Sequence, residues 1–307
     1  GTQDFLSQWL MAIKGMGIEE ISGNIIADAS LINNQGISPK WTWEDMGNYY
    51  GAGAYALSVY DNVCTVGFKT GAPGTIAEVV SCSPDLPDFS VKSYVKAANT
   101  NSDDSYFYGA PLIGERTIYG TLPANRSAFY VKADIYNPPL LLAQRLCNEL
   151  KSNGIQVDGK PDVMWKREKG ARMRVAIHVI ESPALSEIVS DINHRSNNHY
   201  AEHVYRYMGS KQGEGTDTDA GANVIKSYWK SRGLDTEGLL QFDGCGLSTM
   251  NAITADFLVS LLIYEKNKAK YSDEFYESLP VAGVNGTVKK LLKGTKLEGK
   301  VHAKSGS

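Results

Sequence analysis

The chain is predicted to be an α/β (α+β) protein built in two parts. Three observations carry this. Residues 61–135 read as short strands separated by Gly, Pro, Asn and Asp, the pattern of β-rich structure. From "YNPPLLLAQRLCNELKSNG" onward helical periodicity dominates, with Leu142, Leu146 and Leu150 recurring every four residues. The 307 residues, 42% hydrophobic and 21% charged, are enough for two or three compact units with a core of their own.

In chain order, "DFLSQWLMAIKGMG" is an amphipathic helix over about 4–16, and "EEISGNIIADAS" an alternating strand ending in turn residues. Residues 40–60, aromatic and glycine-rich, suit a loop. "NVCTVGFKT" and "IAEVVSCS" read as two strands flanking "GAPG", a hairpin that would bring Cys64 towards Cys82. Such a pair is either two half-buried thiols or a disulfide, and the disulfide would imply an oxidising compartment. "NTNSDD" is an exposed loop. In the next helix Asn137 is a good N-cap, Pro138 and Pro139 suit the first turn, and Gly154 follows the end. Residues 173–180, "MRVAIHVI", read as a buried strand. Helices are expected near 183–192, 197–208, 219–232 and 254–266, then a short one ending in "VKKLLKG" and a final strand. The change of pattern places a domain boundary near 136.

Several function classes are excluded. With a net charge of −3 and no basic run, there is no footprint for nucleic acid. No stretch approaches the ~18 apolar residues of a membrane span. No signal peptide is visible, so an exported parent would have lost its leader. The four cysteines form no C-x-x-C pair, which argues against a zinc cage or a thioredoxin-like dithiol.

Two short motifs carry the chemistry. Ser196-Asn197-Asn198 opens a predicted helix, and Lys304-Ser305-Gly306 lies on the final strand. Alone each is weak, because Ser and Asn commonly cap helices. Together, and in this order, they match two of the three motifs of penicillin-binding proteins and serine β-lactamases: Ser-x-x-Lys, Ser-Asp-Asn and Lys-Thr-Gly. Further segments agree. "FDGCGLS" resembles Asp-Gly-Ser-Gly-Leu-Ser, "LPVAGVNGTV" resembles Leu-Pro-Val-Ala-Gly-x-Asp-Gly-Thr-Leu, "SNNHYAE" resembles Ser-x-Asn-x-x-Ala-Glu, and "SGNIIADAS" resembles Gly-x-Ile-x-x-Asp-x-Ser. Across essentially its whole length the chain thus resembles the low-molecular-weight, penicillin-binding protein 4 type D-alanyl-D-alanine carboxypeptidases and endopeptidases.

The resemblance implies a serine β-lactamase/transpeptidase-like domain with inserted β-rich accessory domains. Residues 1–136 would be the insertions, and 137–307 most of the catalytic domain. It implies acyl transfer on peptidoglycan stem peptides, acylation by β-lactams, no cofactor or metal, and a periplasmic or otherwise extracytoplasmic location. By the family pattern Ser196 relays a proton, and Asn198 binds the substrate amide and steadies the lysine of the first motif. Lys304 and Ser305 receive the substrate carboxylate, Gly306 keeps the strand open, and the amide of Ser307 is an oxyanion donor. Which lysine acts as base stays open. The family's nucleophile would lie upstream of Gly1, so the chain is expected to be incomplete at both ends and inactive by itself. Two literal Ser-x-x-Lys matches, Ser93–Lys96 and Ser227–Lys230, fall in the wrong place.

Two other readings are carried forward. His199-x-x-Glu202-His203 fits the inverted zinc-protease signature, with two histidines one turn apart and Glu202 as base. A non-catalytic peptidoglycan-binding homologue would keep the cleft without the chemistry.

Overall fold

The structure is a computed structural model, and it describes residues 2–167, 174–213 and 215–306. The chain divides into two compact units, Gly1–Ile180 and Glu181–Ser307.

The first unit opens with α1 (Thr2–Gly15), β1 (Glu20–Ile21) and β2 (Ile25–Asp28). Next come seven strands: β3 (Val63–Lys69), β4 (Glu78–Ser83), β5 (Ser90–Ser93), β6 (Lys96–Ala98), β7 (Asp104–Tyr108), β8 (Glu115–Pro123) and β9 (Phe129–Asp134). Helix α2 (Pro138–Ser152), β10 (Gln156–Val157) and β11 (Pro161–Met164) complete it. An antiparallel sheet runs β4-β3-β9, and a mixed one β5-β8-β6 with β7 antiparallel to β8. The inner faces of these sheets make the main core. Val66, Phe68, Phe107, Ile118 and Leu122 are fully buried there, at the alternate positions the strand period supplies.

Helix α2 starts as its cap residues dictate, with the Asn137 side chain accepting from the Leu140 amide at 3.2 Å. Its Cys147 and Leu150 meet Leu10 and Ile13 of α1 in a second cluster. The same helix packs on β2 and β11, which pair in parallel. That packing is why the compact unit runs on to Ile180, well past the change of sequence pattern near 136.

Arg116 is the polar anchor of this unit. Its side chain is fully buried on β8 and grips Asp134 of β9 with two bonds, 2.7 and 2.8 Å. Its remaining donors reach the carbonyls of Ile113 (2.5 Å) and Glu115 (3.0 Å). Gly109 makes room for it: a Cβ there would stand 2.5 Å from the arginine Cδ and Nη1.

The second unit contains α3 (Leu185–Arg195), α4 (Asn198–Lys211), α5 (Thr218–Lys230), α6 (Ala255–Lys268) and α7 (Ser272–Ser278). Asn197, Asp217 and Thr254 cap α4, α5 and α6, each accepting from a backbone amide three residues on. Helices α4 and α5 approach closely because Gly221 offers no side chain against the Tyr205 ring, where a Cβ would come within 2.8 Å.

Three sequence expectations are corrected. Residues 174–180 form no strand, and Val175 and Val179 are more than 70% exposed; residue 173 lies outside the described residues. Alternation announces a strand, but a strand needs a neighbour, and no described residues pair with this one. "VKKLLKG" is a series of turns after a single 3-10 turn at Gly286–Val288. The final strand is an extended segment beside residues 280–282, with one isolated bridge, Val281 to His302. It is held by Ala282 N to Val301 O and Ala303 N to Pro280 O, at 2.8 and 2.9 Å.

Candidate active site

Helix α3 ends at Ser196, which adopts the left-handed conformation (φ 55°, ψ 50°), and Asn197 immediately caps α4. The turn that reverses the chain therefore presents the Ser196 hydroxyl. Asn197 is tied on both sides, accepting from Tyr200 N at 3.1 Å and donating to Asp191 at 3.2 Å. Asn198 is the first residue of α4 and is half-buried.

Lys304 meets this turn. Its Nζ donates to Ser196 Oγ at 2.9 Å and to the Ser305 carbonyl at 2.5 Å, across 108 positions of sequence in the first case. Partial burial pulls its amine below the usual lysine range. Ser305 Oγ donates to Thr287 Oγ1 at 2.8 Å. Lys304, Ser305 and Gly306 are exposed, and Ser307 lies outside the described residues. The structure thus brings Ser196, Lys304 and Ser305 into one chain of contacts.

Further recognised segments of this unit are tied together by hydrogen bonds, a role sequence reading missed. Glu202 is fully buried on α4, and its Oε1 accepts the amides of Gly244 and Cys245 at 2.5 and 2.8 Å. Its Oε2 stands 4.0 Å from Arg206 Nε. Burial and Asp243 push the Glu202 carboxyl up; Arg206 and the two amides pull it back. Gly244 must be glycine because a Cβ would collide with Tyr205 Cβ. Asp243, also buried, accepts from Gly246 N, Ser248 N and Asn251 Nδ2, at 2.9, 2.5 and 2.7 Å, and so folds "FDGCGLS" into its loop. "LPVAGVNGTV" supplies Thr287 to Ser305. Its Gly286 (φ 56°) sits where a Cβ would meet Pro280 at 2.7 Å. Helix α3 is held to α7 by Asn193 Nδ2 to Ser278 Oγ, 2.8 Å.

The zinc reading is not supported by this geometry. The His199 and His203 rings are 4.3 Å apart and edge to face, but Glu202 is spent on the two loop amides. Among the described residues one trio of metal-binding side chains gathers within 4.8 Å, Glu202, Asp243 and Cys245, and neither histidine joins it. Burial, with Asp243 and Glu202 nearby, pushes the Cys245 thiol far up, so it is no nucleophile. The Ser-x-x-Lys matches fare no better. Ser93 and Lys96 lie on strands β5 and β6, and Ser227 and Lys230 are exposed on α5.

His199 gives a pH test. Burial first, and His203 second, hold it well below the ordinary imidazole range, so the folded unit keeps it neutral. The unfolded chain takes up a proton near pH ~6.5, so stability is complete above that value and falls as pH drops below it. Unfolding free energies from urea titrations should fall between pH ~7.5 and ~5.5, at about 1.4 kcal/mol per pH unit in the lower part. His199→Asn should remove most of that slope; an unchanged slope would reassign it.

Comparison with known proteins supplies first the class. Over 97% of this chain the fold is that of penicillin-binding protein 4 (dacB) from Haemophilus influenzae, with a TM-score of 0.81 at 22% identity, covering 66% of that chain. A second solved structure of that protein, complexed with a novel β-lactam, aligns with a TM-score of 0.75. The family comes next: the chain belongs to the D-Ala-D-Ala carboxypeptidase 3 (S13) family, whose sequence profile matches residues 2–307. A D-alanyl-D-alanine carboxypeptidase of Actinomadura sp. strain R39 is 29% identical over 96% of the chain and 56% of its own length. The carboxypeptidase DacB of Haemophilus influenzae is 22% identical over 94% and 59%. The chain therefore spans a little over half the length of these curated relatives. No helix among the described residues is long and apolar enough to cross a membrane.

Proposed function

We propose that this chain carries the proton-relay and carboxylate-binding side of a serine-type D-alanyl-D-alanine carboxypeptidase/endopeptidase acting on peptidoglycan stem peptides. The observation that carries this is the 2.9 Å contact between Lys304 Nζ and Ser196 Oγ, which joins two of the family's motifs. In this reading a serine of a Ser-x-x-Lys segment, outside residues 1–307, attacks the penultimate carbonyl. The leaving D-alanine nitrogen takes a proton through Ser196, and water then hydrolyses the acyl-enzyme. Asn198 binds the substrate amide, and Lys304 with Ser305 takes the terminal carboxylate. The lowered Lys304 amine suits it to share a proton with Ser196. A β-lactam, with its own carboxylate and acyl carbonyl, enters by the same route.

Residues 1–136 are the inserted accessory region, and 137–307 belong to the catalytic domain. The protein works outside the cytoplasm, where its substrate is. The test is covalent labelling by a fluorescent penicillin. The whole parent protein should label, Lys304→Ala in it should slow acylation by about a thousandfold, and residues 1–307 alone should not label. Labelling of residues 1–307 alone, or a parent unaffected by Lys304→Ala, would overturn the reading. A parent that binds peptidoglycan and never labels would point to a non-catalytic homologue.

A further inference from the structure

Two thiols outside the site lie on neighbouring strands of the first unit. Cys64 is on β3 and Cys82 on β4, which run antiparallel with Val66 opposite Cys82. Residues 64 and 66 share a face, so both cysteines point to the same side, one diagonal step apart. That side is the core: Cys64 is 1% exposed, and Cys82, half-buried, packs against the same cluster. Cys64 Sγ donates to the Asp134 carbonyl and Cys82 Sγ to the Pro84 carbonyl, each at 3.6 Å. Neither takes part in the site of the second unit, and Cys147 belongs to a different core cluster.

We propose that Cys64 and Cys82 are an oxidisable pair that closes into a disulfide between β3 and β4. Their environments divide the work. The neighbouring Cys64 thiol holds the Cys82 thiol below its usual range, and Cys82 is the more accessible sulfur. The neighbouring Cys82 and burial push the Cys64 thiol up. Cys82 thiolate therefore attacks first, on a low-molecular-weight disulfide such as glutathione disulfide, forming a mixed disulfide and releasing one donor thiolate. Cys64 gives up its proton to that thiolate and attacks the Cys82 sulfur, expelling the second donor thiol. Two protein thiols become one disulfide, and the donor disulfide becomes two thiols. The closed loop then restrains the unfolded chain and secures the hairpin that carries "GAPG".

The test needs neither export nor catalysis, so it stands apart from the proposed function. The purified protein, equilibrated with glutathione disulfide, is denatured and alkylated. Two of its four cysteines should react, and all four after reduction. Peptide mapping should join Cys64 to Cys82, and the thermal midpoint should fall by about 5 °C on reduction. Cys82→Ser, the less buried change, should leave three reactive thiols and no redox-dependent midpoint. Four reactive thiols at every glutathione ratio, a link through Cys147 or Cys245, or a glutathione adduct persisting on Cys82 would overturn the proposal.

Discussion

Replacing Glu202 by alanine will cost the second unit about 3–5 kcal/mol, the scale of breaking a buried ion pair by removing one partner. The carboxylate holds three things: the amide of Gly244, the amide of Cys245, and the charge of Arg206, which is 1% exposed. Alanine leaves two donors in the interior without their acceptor, and sets a buried guanidinium beside a void. Glu202→Gln keeps one carbonyl acceptor for the loop and should lose roughly half as much. Trp229 is the single tryptophan after residue 180 and reports on this unit in urea unfolding. Hydrogen exchange at Gly244 and Cys245 gives a local readout. Retained protection there in the alanine variant would mean that the loop is held by Asp243 alone.

In the first unit the corresponding prediction concerns Arg116→Ala, again with a loss of about 3–5 kcal/mol. Asp134 would remain buried with its charge, and the carbonyls of Ile113 and Glu115 would lose their donor. A second variant separates the two causes. Arg116→Met with Asp134→Leu removes both charges at similar volume, a change that buried ion pairs often tolerate. Here the carbonyls still lack their donor, so the double variant should stay about 1–3 kcal/mol below the native protein. If it matches the native protein, the carbonyl bonds contribute nothing. Tryptophans 9, 41, 43 and 165 all lie in this unit and make the unfolding visible.

Local signals carried much of the fold. Asn137 followed by two prolines announces a helix start, and the Asn137 side chain caps it. The turn chemistry between residues 61 and 135 marks short strands, and seven of them are there. What stayed hidden is what depends on distant partners. "MRVAIHVI" has the alternation of a strand, but pairing is a property of two segments, and one segment cannot announce the other. The extent of the first compact unit was hidden for the same reason: composition changes near 136, while α2 packs back on β2 and β11. In the site, motif order was enough to pair Lys304 with Ser196. The work of Glu202 was not readable, because its partners lie 42 and 43 positions away and are backbone amides, which any residue carries. The resemblance marked "FDGCGLS" and "SNNHYAE" as two separate segments and did not join them.

The Ser196 turn has a consequence for how such a chain can diverge. Within three residues one helix stops, a left-handed residue reverses the path, and the next helix begins. Adding or removing a residue there would change the path between the helices, and a residue absorbed into α4 would turn its register by about 100° and shift it about 1.5 Å along the axis. The hydroxyl would no longer face Lys304. Exchanging Asn197 for aspartate or serine, by contrast, keeps an N-cap of similar strength. The connection between α3 and α4 should therefore tolerate spelling changes in its middle letter and reject insertions and deletions, so that its length is inherited more strictly than its composition.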